Sequence, residues 1–171
     1  MSLESVKEHL KKFNREQDIL EYDQISATVE QAAQALNVIP AKIAKTLSFK
    51  DQAGSAFLVV TAGDAKVDNK KFRTQFGIKA KMLNADEVVA STGHVIGGVC
   101  PFGLASNLKV YLDRSMKHFK TVFPACGSVN SAIELTCEEL AQYSGADAWV
   151  DVSKDWIEEI PEMKIEINSA K

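Results

Sequence analysis

Two stretches of this chain hold residue types that can do chemistry. In GHVIGGVCPFG, residues 93–103, Gly93, Gly97, Gly98 and Gly103 crowd around Cys100 and Pro101. Consecutive glycines let successive backbone N–H groups converge on one point. Such a concave donor set suits a phosphate, a carboxylate or the oxyanion of a tetrahedral acyl intermediate. Pro101 stiffens the loop by fixing φ. The spacing is neither a P-loop, which needs G-K-[ST], nor a dinucleotide fingerprint. A tight crossover between a helix and a strand explains the same composition without any ligand.

Lys45, in IAKTLSF, is the second feature. It stands where a short helix meets an apolar-rich strand, so an inward-pointing ammonium would need a partner. Partly desolvated, it could hold a phosphate or a carbonyl oxygen; snorkelling to solvent is the plainer alternative. Cys100 invites a thiol mechanism with His94, six residues away. A thiolate nucleophile needs an activating base or positive surroundings, and proximity in sequence supplies neither. Cys126 and Cys137 read as small packed residues. His9 and His118 have no ligand-like companions. Three cysteines without a C-x-x-C pair imply no zinc framework or disulfide scaffold, so neither metal nor cofactor is expected.

These candidates need elements to position them. Leu3, Val6, Leu10 and Phe13 recur at helical spacing and predict a first helix with one packed face. ILEYDQIS reads as a short extended segment. Thr28-Val-Glu-Gln31 is a capping box for a helix carrying Val29, Ala32, Ala33 and Leu36, and Pro40 opens a short helix through about Lys45. KTLSFK and SAFLVVTA form a strand pair turned by DQAG. Asp68 caps a helix running to Phe76, which Gly77 ends. KAKML is a strand, and Asn84-Ala-Asp-Glu87 caps a helix that stops at Gly93. NLKVYLD, KTVFPA and AIELT follow as short apolar segments. Thr136-Cys-Glu-Glu139 opens a last helix closed by Gly145, and AWVDV is the final strand. Without a regular βαβ period, an internal repeat or a low-complexity linker, this order predicts one α+β domain around a mixed sheet.

Composition bounds the function classes. With 46% hydrophobic and 25% charged residues over 171 positions, the chain can bury a proper core and is neither disordered nor fibrous. A net charge of -3 argues against a broad, non-specific nucleic-acid footprint. Lys66, Lys70, Lys71, Arg73, Lys79 and Lys81 nevertheless concentrate positive charge, either for phosphate contacts or as a solvated helix face. Phe72 and Phe76, four residues apart, favour core packing over base stacking. The charged amino terminus has no signal-peptide run and no stretch has transmembrane length, so a cytoplasmic protein with no membrane partner is expected.

Taken together, KTLSF, GHVIGGVCPFG and GSVNSAIELT, in this order, resemble the YbaK/EbsC family of free-standing aminoacyl-tRNA deacylases, relatives of the editing domain of bacterial prolyl-tRNA synthetases. The resemblance runs from about the first helix to WVDV. It implies a single α+β domain over residues 1–153, with a curved, mixed, barrel-like sheet surrounded by helices, followed by an acidic tail over 154–171. Trp156, Ile157 and Ile160 would pack that tail loosely.

The activity implied is hydrolysis of the ester in mischarged aminoacyl-tRNA, performed in trans, with a synthetase as a plausible partner. Lys45 matches the family's active-site lysine and would position substrate. Gly97 and Gly98 match its glycine loop, with amides for the oxyanion. Thr46, Val99, Pro101, Gly103 and Gly127 fall to substrate binding, together with Tyr22 in the early extended segment. Some cysteine-editing relatives carry aspartate where this chain has Ala132, which puts Cys-tRNA specificity in doubt and leaves Asn130 and Ser131 to shape the pocket. Two other readings stay open: a non-catalytic aminoacyl-nucleotide or tRNA-binding module, and a small-molecule hydrolase using Cys100.

Overall fold

The computed structural model describes residues 2–157. In chain order the elements are α1 (Ser2–Lys11), β1 (Leu20–Glu21), α2 (Val29–Leu36), β2 (Ile43–Lys50), β3 (Ala56–Ala62), β4 (Lys66–Val67), α3 (Asn69–Phe76) and α4 (Ala85–Thr92). There follow β5 (Lys109–Asp113), β6 (Thr121–Pro124), β7 (Ser131–Ala132), β8 (Leu135–Thr136), α5 (Cys137–Ser144), β9 (Ala148–Val150) and β10 (Ser153–Lys154). Six strands form the central sheet in the order β8-β6-β2-β3-β5-β9, which curls into a half-barrel. The β2–β3 and β6–β8 pairs are antiparallel, whereas β2–β6, β3–β5 and β5–β9 are parallel. The expected α+β fold with a curved mixed sheet is present.

Local signals start and stop the helices. Thr28, Asn84 and Thr136 each complete a capping box, closing α2, α4 and α5 at their N-termini. Asp68 accepts from the Lys71 N–H at the start of α3. Each such cap stabilises its helix by about 0.5–2 kcal/mol, because it satisfies amides that the helix cannot.

Strand alternation then divides the core. One sheet face carries Leu58, Val60 and Ala62 against Val6 and Leu10 of α1 and Leu140 of α5. The other carries Phe49, Phe57 and Val59 against Phe72 and Phe76 of α3. Phe72 lies 4.8 Å from both Phe49 and Phe76, centroid to centroid, so the Phe72–Phe76 pair is core.

Three expected elements differ. KAKML is not a strand: only Met82 bridges to Phe49, flanked by hydrogen bonds from Lys50 N–H to Lys81 and from Leu83 N–H to Ser48. One bridge is what the segment can make before the Asn84 cap turns it into α4. AIELT splits into β7 and β8, with β7 pairing β1 and β8 pairing β6. The Pro40 helix is a 3-10 turn over Pro40–Lys42, so Lys45 already lies within β2. At the carboxyl end, Lys154 pairs with Lys66, and the Trp156 ring lies tilted against His118, centroids 4.6 Å apart, with the Arg114 guanidinium over it. Ile160 and the remainder of the acidic tail lie outside the described residues.

Candidate active site

A cleft of about 410 Å³ opens beside the start of β2. Its walls are Val29, Ala32 and Leu36 of α2, residues 43–46 of β2, Phe123 of β6, Ser131 and Ala132 of β7, and Ile96, Gly97 and Val99 of the glycine loop. Lys45 is the one charged side chain on this lining among the described residues.

Lys45 is half-buried and points its ammonium back at the chain. The Nζ donates to the Gly63 carbonyl at 3.3 Å and to the Ala65 carbonyl at 2.5 Å. An ammonium has three protons, so one donor remains for the cleft. Burial lowers the Lys45 pKa from its ordinary value, with Lys66 adding to that effect, while Asp64 and Glu30 oppose it by favouring the charge. Beside it, the Thr46 hydroxyl is buried and has no hydrogen-bond partner among the described residues. A buried, unpartnered hydroxyl on a cleft wall is a group that a ligand can satisfy.

Tyr22 lines the cleft, although it lies well outside the other motifs in sequence. Its hydroxyl is 2.7 Å from Ser26 Oγ, and Ser26 donates to the Val129 carbonyl. Its backbone exchanges hydrogen bonds with Asn130. Asn130 therefore braces Tyr22, while Ser131, whose Oγ is 2.5 Å from that of Ser128, reaches the lining itself.

The glycine loop divides between site and scaffold. The Gly98 N–H donates to the Val95 carbonyl, and Gly97 takes φ +91, the geometry of a type II turn with glycine at its third position. Gly97 and Val99 line the cleft, and their N–H groups have no acceptor among the described residues. Gly98, Pro101, Gly103 and Gly127 are not on the lining. A Cβ on Gly98 would sit 2.6 Å from the Gly127 carbonyl carbon and 2.7 Å from Ser128 N. Gly103 and Gly127 instead press against the backbone of α1. What comes close to most of this loop is the protein's own main chain.

Cys100 and His94 do meet, but away from the cleft. Both are fully buried and neither is on the lining. His94 Nε2 is 2.7 Å from the Phe102 carbonyl and 3.6 Å from Cys100 Sγ. A carbonyl can only accept, so Nε2 carries the proton and has no lone pair to take the thiol's. The thiol donates to the same carbonyl, and burial pushes its pKa up to about 12. The pair lacks every condition for a thiolate nucleophile.

Of the basic cluster, Lys71 is tied to Asp151 at 3.1 Å and to the Ser153 carbonyl, and no member lines the cleft. His9 bonds the Tyr143 carbonyl, and Cys126 is fully buried. Among the described residues, no cluster of three or more His, Cys, Asp or Glu could hold a metal ion, and no helix is long and apolar enough to cross a membrane.

Sequence reasoning missed the α2 wall and the 63–65 turn. From sequence, α2 shows only the pattern of an amphipathic packing element. The turn had a signal: Gly63-Asp64 follows an apolar strand, and in the β2–β3 hairpin Lys45 stands opposite Thr61. Two residues past Thr61, just beyond the end of β3, the chain turns beside Lys45.

Comparison with known proteins bears on this cleft. The aminoacyl-tRNA editing domain family matches residues 25–143, a span holding every lining residue except Tyr22. The chain is 58% identical over 156 residues to the uncharacterised protein YwhH of Bacillus subtilis (strain 168), covering 91% of this chain and 99% of that one. It is 28% identical over 119 residues to EbsC of Enterococcus faecalis (strain ATCC 700802 / V583), whose name proposes a Cys-tRNA(Pro)/Cys-tRNA(Cys) deacylase; the match covers 69% and 71% of the two chains. A solved structure described as a proposed trans-editing enzyme for prolyl-tRNA synthetase superposes with a TM-score of 0.80 at 28% identity, over 90% of this chain and 97% of that one. A match over most of the sequence, a shared half-barrel and a cleft that lies inside both lead to one assignment: this chain belongs to the aminoacyl-tRNA editing domain family.

Proposed function

We propose that the protein is a trans-acting deacylase that hydrolyses the ester of mischarged aminoacyl-tRNA. The observation that carries this reading is the convergence of the Lys45 ammonium and the Gly97 edge of the loop on one cleft. Water adds to the ester carbonyl, the bond between the acyl carbon and the ribose oxygen breaks, and the ribose oxygen takes up a proton. Amino acid and tRNA leave. Lys45 positions the ester or the terminal phosphate with its remaining donor, while the Gly97 and Val99 amides stabilise the oxyanion. The Gly98 N–H already has its acceptor, so Gly98 contributes by shaping the turn. No triad lines the cleft among the described residues, and a ribose hydroxyl of the substrate relays the proton from the attacking water to the leaving ribose oxygen.

Tyr22 and Thr46 bind the acylated sugar, and the α2 wall accommodates the amino acid. Lys45 is the one charged side chain on the lining among the described residues, which suits an amino acid with an uncharged side chain, and Ala132 leaves no carboxylate at that position of the β7 wall. Residues 1–153 form the editing unit, which acts in the cytoplasm and works beside a synthetase because the charged tRNA must be intercepted before other factors capture it. A panel of mischarged tRNAs, assayed with wild type, Lys45→Ala and Cys100→Ala, tests the reading. Amino acid release that survives Cys100→Ala and collapses with Lys45→Ala supports deacylation. Binding without release across the panel would replace it with the binding-module reading.

A further inference from the structure

We propose that Asp64 is a positioning residue for Lys45: set in the 62–65 turn whose carbonyls grip the ammonium, it supplies the counter-charge for that ammonium at the cleft. The inference rests on the deacylase reading for its consequence, though not for its geometry.

The turn is built for one position. The Ala65 N–H closes it on the Ala62 carbonyl at 3.1 Å, directly after β3. A Cβ on Gly63 would fall 2.1 Å from the Pro40 carbonyl oxygen and 2.7 Å from Val29 Cγ1, so the turn is seated against both with no room to shift. Ala65 is buried. Carbonyls 63 and 65 therefore face Lys45 from a rigid support, and they point two of its three protons away from the substrate.

Carbonyl dipoles alone compensate a desolvated ammonium only in part. Asp64 lies between the two carbonyls in sequence. Its Oδ2 accepts the Ile157 N–H at 2.8 Å, fastening the chain's return to this turn, and its Oδ1 is buried without a hydrogen-bond partner among the described residues. A buried carboxylate oxygen with no donor is costly unless a cation acts on it, and the turn that carries Asp64 is the one whose carbonyls bond the Lys45 ammonium. The charged groups that act on Lys45 are Asp64 on the turn and Glu30 on α2, which favour its charge, and Lys66 on β4, which opposes it. Asp64 is the member of this set built into the turn that Lys45 bonds. Burial acts in the opposite direction, so removing Asp64 leaves desolvation less opposed.

The test follows the Lys45 Nζ resonance by NMR as pH is raised, in wild type, Asp64→Asn, Asp64→Ser and Asp64→Glu, with Lys45→Arg assigning the signal. The Asn and Ser variants are expected to lower the Lys45 midpoint by about one pH unit, and Glu to restore it. The alkaline limb of deacylation should move by the same amount. Two charge-removing variants keep the question answerable if one does not fold. An unchanged Lys45 midpoint in a folded Asn or Ser variant overturns the proposal. A shifted midpoint in a protein that releases no amino acid from any mischarged tRNA upholds the positioning role and overturns the deacylase reading instead.

Discussion

At the scale of single residues, the site turns on what each polar group already bonds. Lys45 keeps one donor free, so Lys45→Ala should lower the rate of amino acid release by about a hundredfold, the order lost when a substrate is misplaced. Single-turnover assays on mischarged tRNA, with circular dichroism to verify folding, check this. The pKa of Lys45 is lowered by burial, and the charged form is the one that binds. Activity dependent on that charge should therefore fall on raising pH before an ordinary lysine, near 10.4, would deprotonate. A rate–pH profile flat to that point would refute the assignment. Cys100 is the opposite case: its thiol is neutral and off the lining, so Cys100→Ala should leave deacylation within about threefold, because none of the conditions for a reactive thiolate is met.

At the scale of elements, the two-loop contact between Gly98 and Gly127–Ser128 governs where the site's edge lies. Gly98→Ala would drive a methyl into backbone at 2.6 Å, which no side-chain rotation relieves. The expected cost is about 1–3 kcal/mol, the usual range for overpacking. Gly98 does not adopt positive φ, so this cost comes from the close contact alone. Urea melts of wild type and Gly98→Ala measure it: an unchanged midpoint would mean that the loops are free to part.

At the scale of the whole molecule, stability responds to pH through the core that carries the loop. His94 is fully buried, burial lowers its pKa, and its Nδ1 has no hydrogen-bond partner among the described residues. The unfolded chain thus binds a proton at His94 more readily than the folded one, and stability rises with pH. The contribution is complete above the ordinary histidine value, near 6.5. It is lost progressively as pH falls below that value, until the depressed folded pKa is reached. Thermal melts from pH 7 to pH 5 should show a steeper decline for wild type than for His94→Gln; parallel curves would remove His94 as the cause.

Elements whose determinants lie within a few residues were legible from the chain. Thr28, Asn84 and Thr136 announce α2, α4 and α5 because a cap bonds an amide only three positions away. The apolar run SAFLVVTA beside the DQAG turn announces β3 for the same local reason, and the family motifs lead to Lys45 and the glycine loop. Pairing was less legible. KAKML has the composition of a strand, but a second strand-length partner was lacking.

The site itself was decided by tertiary structure. Tyr22 reaches the cleft through Asn130, 108 residues away, and Lys45 finds its acceptors 18 and 20 residues on. Glycine content in residues 93–103 states that the backbone needs freedom, and not what approaches it. Only folding assigned Gly97 to the cleft and Gly98 to the loop at 127. The reason is physical: local bonds depend on spacing along the chain, whereas a cleft is bounded by groups whose closeness exists only after the sheet has curled.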